Sequence, residues 1–395
     1  MEPQPMASYM CCLCWCEQLC CCSSTLLQCY LQCQKTRNCQ EVTAITTRVV
    51  VPRKMTTKLA SGHKVEAMSE EWLARMEEEQ TLYNHGMVRL RPGGWLYPTL
   101  FTKYADTIYN FKFTEGDVLV MGMPRSGTTW MLELVWTMLH NPDLNNQRAD
   151  LPIFIRAPHI DFDMMLDSKT IRSTVENPRQ MTEMFRQMCP GKKVEDGVFL
   201  QISEALPAPR VMKTHLPCTL LPLTLLHTTK VVYIARDPKD VVVSLFYHFC
   251  NVKFHNYTGT FDNFVKHFMN NDLLYCPYWP NLMMAWGQKD EPYMHFVFYE
   301  DFKADIKKEL GKLNELLGTN LSQQQLDNVA EHCSFSSMKA RSEKDAANYH
   351  QGAQKSEGDF FRKGEIGDWK NHFSPELEQE MNRWIEKNCG NAIFK

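Results

Sequence analysis

The sequence predicts an α/β fold: one domain whose central parallel sheet is flanked by helices and carries a P-loop-like phosphate-binding loop. Three observations lead there. From about residue 95 onward, short β-rich runs alternate with helical patterns, the signature of βαβ units on a parallel sheet. One of those strands runs through a Gly/Pro turn into a helix that opens on two threonines. The 395 residues, 44% of them hydrophobic, are ample for one large core.

Composition narrows the function classes. With 43 Lys+Arg against 46 Asp+Glu the formal net charge is −3, so no whole-chain field recruits nucleic acid or an anionic membrane. Gly and Pro number 18 and 20, too few for a collagenous or low-complexity chain. The unusual number is 16 Cys, ten of which fall in the first 39 residues. The remaining six are scattered, as in a reduced, cytoplasmic-type protein.

Taken in chain order, the Cys-rich head comes first. Between Pro3 and Gln34 the only charge is Glu17, and no Lys or Arg precedes Lys35, which excludes the basic start of a secretory signal. Gln18, Ser23, Ser24, Gln28 and Gln32 interrupt any membrane span. Cys11-x-x-Cys14 lacks the second well-spaced pair of a zinc site. A disordered leader and an S-acylated membrane tether remain open, with metal binding or a span behind them. We place this leader at residues 1–63, ahead of a folded domain at 64–395 with its core at about 85–395. Residues 40–63 are polar and without pattern, and Val65–Gln80 reads as an exposed amphipathic helix.

The folded part then alternates. Asp117–Met121 reads as a strand before a helix at Thr129–His140, Lys230–Ala235 before Lys239–Phe249, and His295–Tyr299 before Phe302–Leu317. In the first of these junctions, Gly122-x-x-x-x-Gly127 has Walker spacing, but Thr128-Thr129 stands where Lys-Ser/Thr is required. A nucleoside-triphosphate loop uses that Lys on the phosphates and the hydroxyl on Mg²⁺. Here Arg125, inside the loop, is the cation. Backbone N–H groups and a helix start still suit an anion. A donor with less charge on its transferring group, needing no metal, therefore fits better than a P-loop kinase substrate.

Four segments, in order, carry a resemblance. Met123-Pro-Arg-Ser-Gly-Thr-Thr-Trp130 resembles the 5′-phosphosulfate loop of the cytosolic sulfotransferases, usually written YPKSGTTW. Arg210-Val-Met-Lys-Thr-His-Leu-Pro217 resembles the strand with their general base. Val232-Tyr-Ile-Ala-Arg-Asp-Pro-Lys-Asp240 with Val243-Ser244 resembles their 3′-phosphate motif, and Arg362-Lys-Gly-Glu-Ile-Gly-Asp-Trp-Lys-Asn371 their C-terminal loop. The likeness spans roughly residues 85–395.

That family moves a sulfuryl group from 3′-phosphoadenosine 5′-phosphosulfate (PAPS) to a small hydrophobic hydroxyl acceptor (a phenol, alcohol or steroid-like molecule), without a metal. Such chemistry needs a base for the hydroxyl, cations for the reacting oxygens and a clamp on both phosphates. The resemblance implies His215 as proton acceptor, and imidazole suits that task near neutrality. Lys213 lies two residues earlier, on the same face of an extended strand, and would stabilise charge on the transferring group. Arg125 departs from the usual Lys: it keeps the charge but does not readily give up a proton. That substitution keeps open a binding protein that holds the nucleotide without turnover.

The resemblance also implies a cofactor set. Arg125, Ser126, Gly127, Thr128 and Thr129 would take the 5′ side. Arg236 and Ser244, with Phe360, Arg362, Lys363 and Gly364 of the C-terminal loop, would take the 3′-phosphate side. Trp130, Tyr299, Phe335 and Met338 would take the adenine, with Cys333 where relatives commonly have Thr. From Arg125 to Lys213 is 88 positions, more than is usual in the family. The extra stretch, Met164–Pro207, carries Met164, Met165, Met181, Met184 and Met188 and is either an adaptable acceptor lid or an exposed excursion. Near the C-terminus Ser374-Pro375 replaces a Thr-Val that many relatives use to dimerise, so monomer and homodimer are both open. Membrane contact, if made, would run through the head alone.

Overall fold

In the computed structural model, residues 57–80, 86–166, 178–252, 255–349 and 361–389 are described. The Cys-rich head and Phe360 lie outside them, as does the side chain of Met181. From Arg53 on the chain forms one compact unit.

An antiparallel sheet that the sequence pattern does not announce comes first. Strands β1 (Lys64–Ala67), β2 (Met87–Arg91) and β3 (Leu96–Pro98) pair in that order. The predicted helix over Val65–Gln80 is thus corrected. Its first residues are β1, and helix α1 covers only Glu70–Glu77, where the Ser69 side chain accepts from Trp72 N. That helix is not simply exposed, because Met76 is fully buried. Packing also begins earlier than the pattern suggests, since Leu59 and His63 are buried.

Helix α2 (Phe101–Tyr109) leads to the central sheet: β4 (Val118–Met121), β5 (Val211–Thr214), β6 (Lys230–Ala235) and β7 (Met294–Phe298), in the spatial order β5-β4-β6-β7, every pair parallel. All four residues of β4 are buried, as a strand covered on both faces demands. The two faces feed different cores with a period of two. Leu119 and Met121 of β4 join one cluster with Val231 and Tyr233 of β6. Val118 and Val120 join the other with Val232 and Ile234.

Helices fill both faces: α3 (Thr128–His140), α4 (Pro178–Met188), α5 (Val198–Ala205), α6 (Pro238–Asn251), α7 (Phe261–Met269), α8 (Tyr278–Gly287), α9 (Tyr299–Ala304), α10 (Ile306–Leu317), α11 (Gln323–His332), α12 (Phe335–Tyr349) and α13 (Pro375–Cys389). The single helix expected over Phe302–Leu317 is two, parted at Asp305, whose side chain accepts from Lys308 N and caps α10. At the C-terminus Pro375 is the first helical residue, where a missing N–H forfeits no intrahelical bond, and Ser374 Oγ accepts from Leu377 N at 3.2 Å. The proline therefore costs no backbone pairing.

The extra stretch after Pro158 divides. Met164 and Met165 are buried against the main core, whereas Phe185, Cys189, Val198, Phe199, Ile202 and Leu206 form a satellite core of their own. Met184 and Met188 pack on that satellite. Asp163 ties the two parts together. Its carboxylate accepts from Val198 N (2.8 Å), Phe199 N (3.2 Å) and Leu200 N (3.0 Å), the unpaired donors of the first turn of α5.

Candidate active site

Four strand ends converge. Gly122, His215, Arg236 and Tyr299 each follow directly the last residue of β4, β5, β6 and β7. Parallel sheets place ligand sites in this position, beyond the carboxyl ends of their strands. A cavity of about 260 Å³ opens there. Of the residues expected at the site, Arg125, Gly127, Thr128, Thr129, Trp130, Lys213, His215, Arg236, Ser244, Tyr299, Phe335, Met338, Arg362, Lys363 and Gly364 line it. Ser126 and Cys333 do not.

At one end lies the phosphate loop. Arg125 takes a left-handed backbone, φ 72°, a conformation that non-glycine residues usually adopt only where surrounding structure enforces it. Arg125 Nε donates to Ser244 Oγ at 3.0 Å, and Arg236 Nη1 to the Arg125 carbonyl at 3.4 Å. Gly127 caps α3 at φ 100°, and a Cβ there would meet the Tyr299 ring at 2.7 Å. Burial, with Arg236 and Arg362 adding, pushes the Arg125 guanidinium down to about 10. Three cations so placed repel one another, which makes the pocket a ready host for a polyanion. Two buried polar atoms beside them, Ser126 Oγ and Arg236 Nε, have no hydrogen-bond partner. The donor set therefore fits a ligand rich in phosphate oxygens.

The C-terminal loop closes this end. Asp240 of α6 accepts from Gly367 N (2.7 Å) and Trp369 N (3.2 Å), and Arg236 Nη2 donates to the Glu365 carbonyl at 2.7 Å. Arg362 and Lys363 each sit 2.6 Å from Asp368. Although burial opposes it, Lys363, Asn371, Arg362 and His372 hold the Asp368 carboxyl below the usual carboxylate range.

Aromatic rings wall the next part. Tyr299 OH donates to the Gly364 carbonyl at 3.1 Å, its ring lies under the Arg236 guanidinium at 4.4 Å, and Trp130 meets it edge-on at 5.4 Å. Cys333 acts through its backbone, its carbonyl accepting from Trp130 Nε1 at 2.8 Å. Its thiol is buried, 3.8 Å from Thr137 Oγ1, and burial pushes its pKa far up. The resemblance implies Cys333 in the cofactor set; here its carbonyl holds Trp130 while its side chain is buried in the core.

The remaining end is largely apolar, with Phe162, Met165, Leu245, Phe249, Leu274 and Tyr275 in its wall beside His159, His248 and His255. His215 stands between the two ends. Its Nδ1 lies 2.6 Å from the Gly122 carbonyl oxygen. A carbonyl can only accept, so Nδ1 carries the proton and Nε2 keeps the lone pair. Burial, with Lys213 and His159 beside it, holds the imidazole well below its ordinary value and therefore neutral. Burial likewise lowers Lys213 to about 8; Arg125 adds to this and Asp161 opposes it.

Sequence reasoning missed three further cavity histidines, His159, His248 and His255. His248 lies four residues after Ser244, within reach of that motif. Nothing in composition or spacing marked them.

Comparison with known proteins gives the family. The family model described as a sulfotransferase domain matches residues 115–392. The chain belongs to the sulfotransferase family and is a group-transfer enzyme. It is 33% identical over 305 residues to Sulfotransferase 1A1 of Rattus norvegicus, covering 75% of this chain and 93% of that one. It is 31% identical over 300 residues to Sulfotransferase 1E1 of Homo sapiens, covering 75% and 91%. Among solved structures, retinol dehydratase in a complex with retinol and PAP superposes with a TM-score of 0.72 at 28% identity, covering 84% of this chain and 98% of that one.

Proposed function

We propose that this enzyme transfers a sulfuryl group from PAPS to the hydroxyl of a small, largely hydrophobic acceptor, a phenol, alcohol or steroid-like molecule, with His215 as general base. The observation that carries the reading is His215 itself: buried at the cavity wall, its proton fixed on Nδ1 by Gly122, its Nε2 left to accept one. The donor supplies an activated sulfuryl group whose departure leaves charge on a phosphate oxygen. Lys213 and Arg125 are the cations nearest that need, and Arg236, Ser244, Arg362, Lys363 and the Gly364 backbone are suited to the 3′-phosphate. Trp130, Tyr299, Phe335 and Met338 offer rings and a thioether to the base.

The apolar end supports a hydrophobic acceptor, and two solved structures of retinol dehydratase hold such molecules: retinol in one complex and androsterone in another. The six described body cysteines are all free, which supports a reduced, cytoplasmic setting. Membrane contact is proposed only for the Cys-rich head, by acylation. Among the described residues no helix is long and apolar enough to cross a membrane.

The test is transfer of labelled sulfate from PAPS to a panel of phenols and alcohols, with and without EDTA. Turnover is expected in both conditions and is expected to fall by about 10²–10⁴ in His215→Ala. Full turnover in that variant would remove His215 as the base. Binding of the nucleotide with no transfer to any acceptor would favour the non-catalytic reading that Arg125 keeps open.

A further inference from the structure

We infer that His159, held by Asp161, recognises a second hydroxyl on the carbon next to the reacting one, so that the acceptor is a vicinal diol. This rests on the sulfuryl-transfer reading above and narrows its acceptor class.

The backbone places His159 at the reacting centre. Lys213 N donates to the Pro158 carbonyl and Ile160 N to the Lys213 carbonyl, both at 2.9 Å, so His159 and Lys213 are partners in a parallel bridge at the edge of the central sheet. The His159 and His215 rings consequently stand 4.7 Å apart and nearly perpendicular, at 86°. Both line the cavity.

Asp161 sets the proton on His159. Its carboxylate is buried and accepts from Thr214 Oγ1 at 2.6 Å and from Tyr275 OH at 2.7 Å. His159 Nε2 lies 3.0 Å from Asp161 Oδ1. Although burial opposes it, His159, His215 and Thr214 hold that carboxyl below the usual carboxylate range. An ionised carboxylate only accepts, so the proton of a neutral His159 sits on Nε2 and its lone pair on Nδ1. Burial lowers His159 from its ordinary value, with Asp161 opposing and Lys213 adding to the shift.

The cavity thus holds two adjacent imidazoles built alike. His215 has one nitrogen hydrogen-bonded to a fixed oxygen, and His159 has one facing the Asp161 carboxylate at 3.0 Å by charge rather than in hydrogen-bond geometry; in each the other nitrogen is left basic. A mono-alcohol occupies one of them. The second is then a buried polar group without a donor, a costly arrangement. Hydroxyls on neighbouring carbons are set about one hydrogen-bond length apart and supply a donor to each ring. The Phe162, Phe249 and Tyr275 rings in the same wall suit an aromatic diol as readily as an aliphatic one.

The experiment compares matched pairs, catechol against phenol and an alkane-1,2-diol against its mono-ol, with PAPS as donor. In the wild type the diol is expected to exceed its partner in kcat/KM by roughly tenfold, well above the statistical advantage of about two. In His159→Phe that ratio is expected to collapse toward about two. In Asp161→Asn, which keeps the shape and releases the ring, the ratio is expected to fall mainly through the KM of the diol. Melting curves and titration with adenosine 3′,5′-bisphosphate establish that each variant is folded. Equal rates within the wild-type pairs, or a ratio that survives His159→Phe, would overturn this inference and leave sulfuryl transfer standing. No transfer to any member of any pair would overturn both.

Discussion

Arg125 Nε donates to Ser244 Oγ at 3.0 Å, joining the loop after β4 to the helix after β6. The two ends of a bisphosphate would therefore be read by one connected unit. Because guanidinium does not readily surrender a proton, Arg125 can stabilise a leaving oxygen only by charge and hydrogen bonding. Arg125→Lys is expected to raise turnover several-fold by adding a proton donor. Arg125→Ala is expected to lower it by about 100-fold or more. Single-turnover sulfate transfer measures both; a Lys variant slower than wild type would show that the fork geometry matters more than the proton.

The acid–base window follows from Lys213. Its cationic form is the useful one, and in the free enzyme it is lost as pH rises through about 8. With both substrates below saturation, kcat/KM is expected to fall on that alkaline side. His215 is held well below 6.5, so the acid limb is expected below that pH. Lys213→Arg should abolish the alkaline limb. A limb unchanged in that variant would assign it to another group.

Gly364 adopts φ 68°, and a Cβ there would lie 2.3 Å from the Phe335 ring. Gly364→Ala must strain the loop or displace the ring, at about 1–3 kcal/mol. Calorimetric titration with adenosine 3′,5′-bisphosphate is expected to show affinity reduced by roughly tenfold or more. Wild-type affinity would take Gly364 out of the cofactor wall.

Removing residues 1–52 is expected to leave turnover and melting temperature unchanged. A cut at residue 60 is expected to lower the melting temperature by several degrees. It deletes Leu59, which is only 5% exposed, and the Thr57 carbonyl that accepts from Val65 N at 3.0 Å. Equal melting of the two truncations would mean that this edge contributes nothing.

The sequence was legible where a strand feeds a loop that must bind an anion. β6 falls where its apolar run predicts, and the phosphate loop, the His215 strand and the Arg236–Ser244 junction meet at one cavity. Short polar strands were not legible. β1 reads Lys-Val-Glu-Ala with only Val65 buried, so a charged edge strand looked like the start of a helix. Nor was the Cys333 side chain, because a residue beside a motif can serve it by its carbonyl while its side chain faces the core. His159 and Asp161 were missed for a related reason. Their meaning comes from a bridge to Lys213, some fifty residues on, which no local pattern encodes.

That bridge has one more consequence. Pro158–Ile160 and Met212–Thr214 lie side by side, so the stretch between them leaves and re-enters the domain at a single clamped root. The entropic penalty of lengthening a loop so rooted grows only slowly. The stretch can therefore gain or shed whole helices while His159, Lys213 and His215 keep their spacing. The part of acceptor preference that His159 reads is fixed together with the reacting geometry, and only what the stretch beyond the root contributes can vary independently.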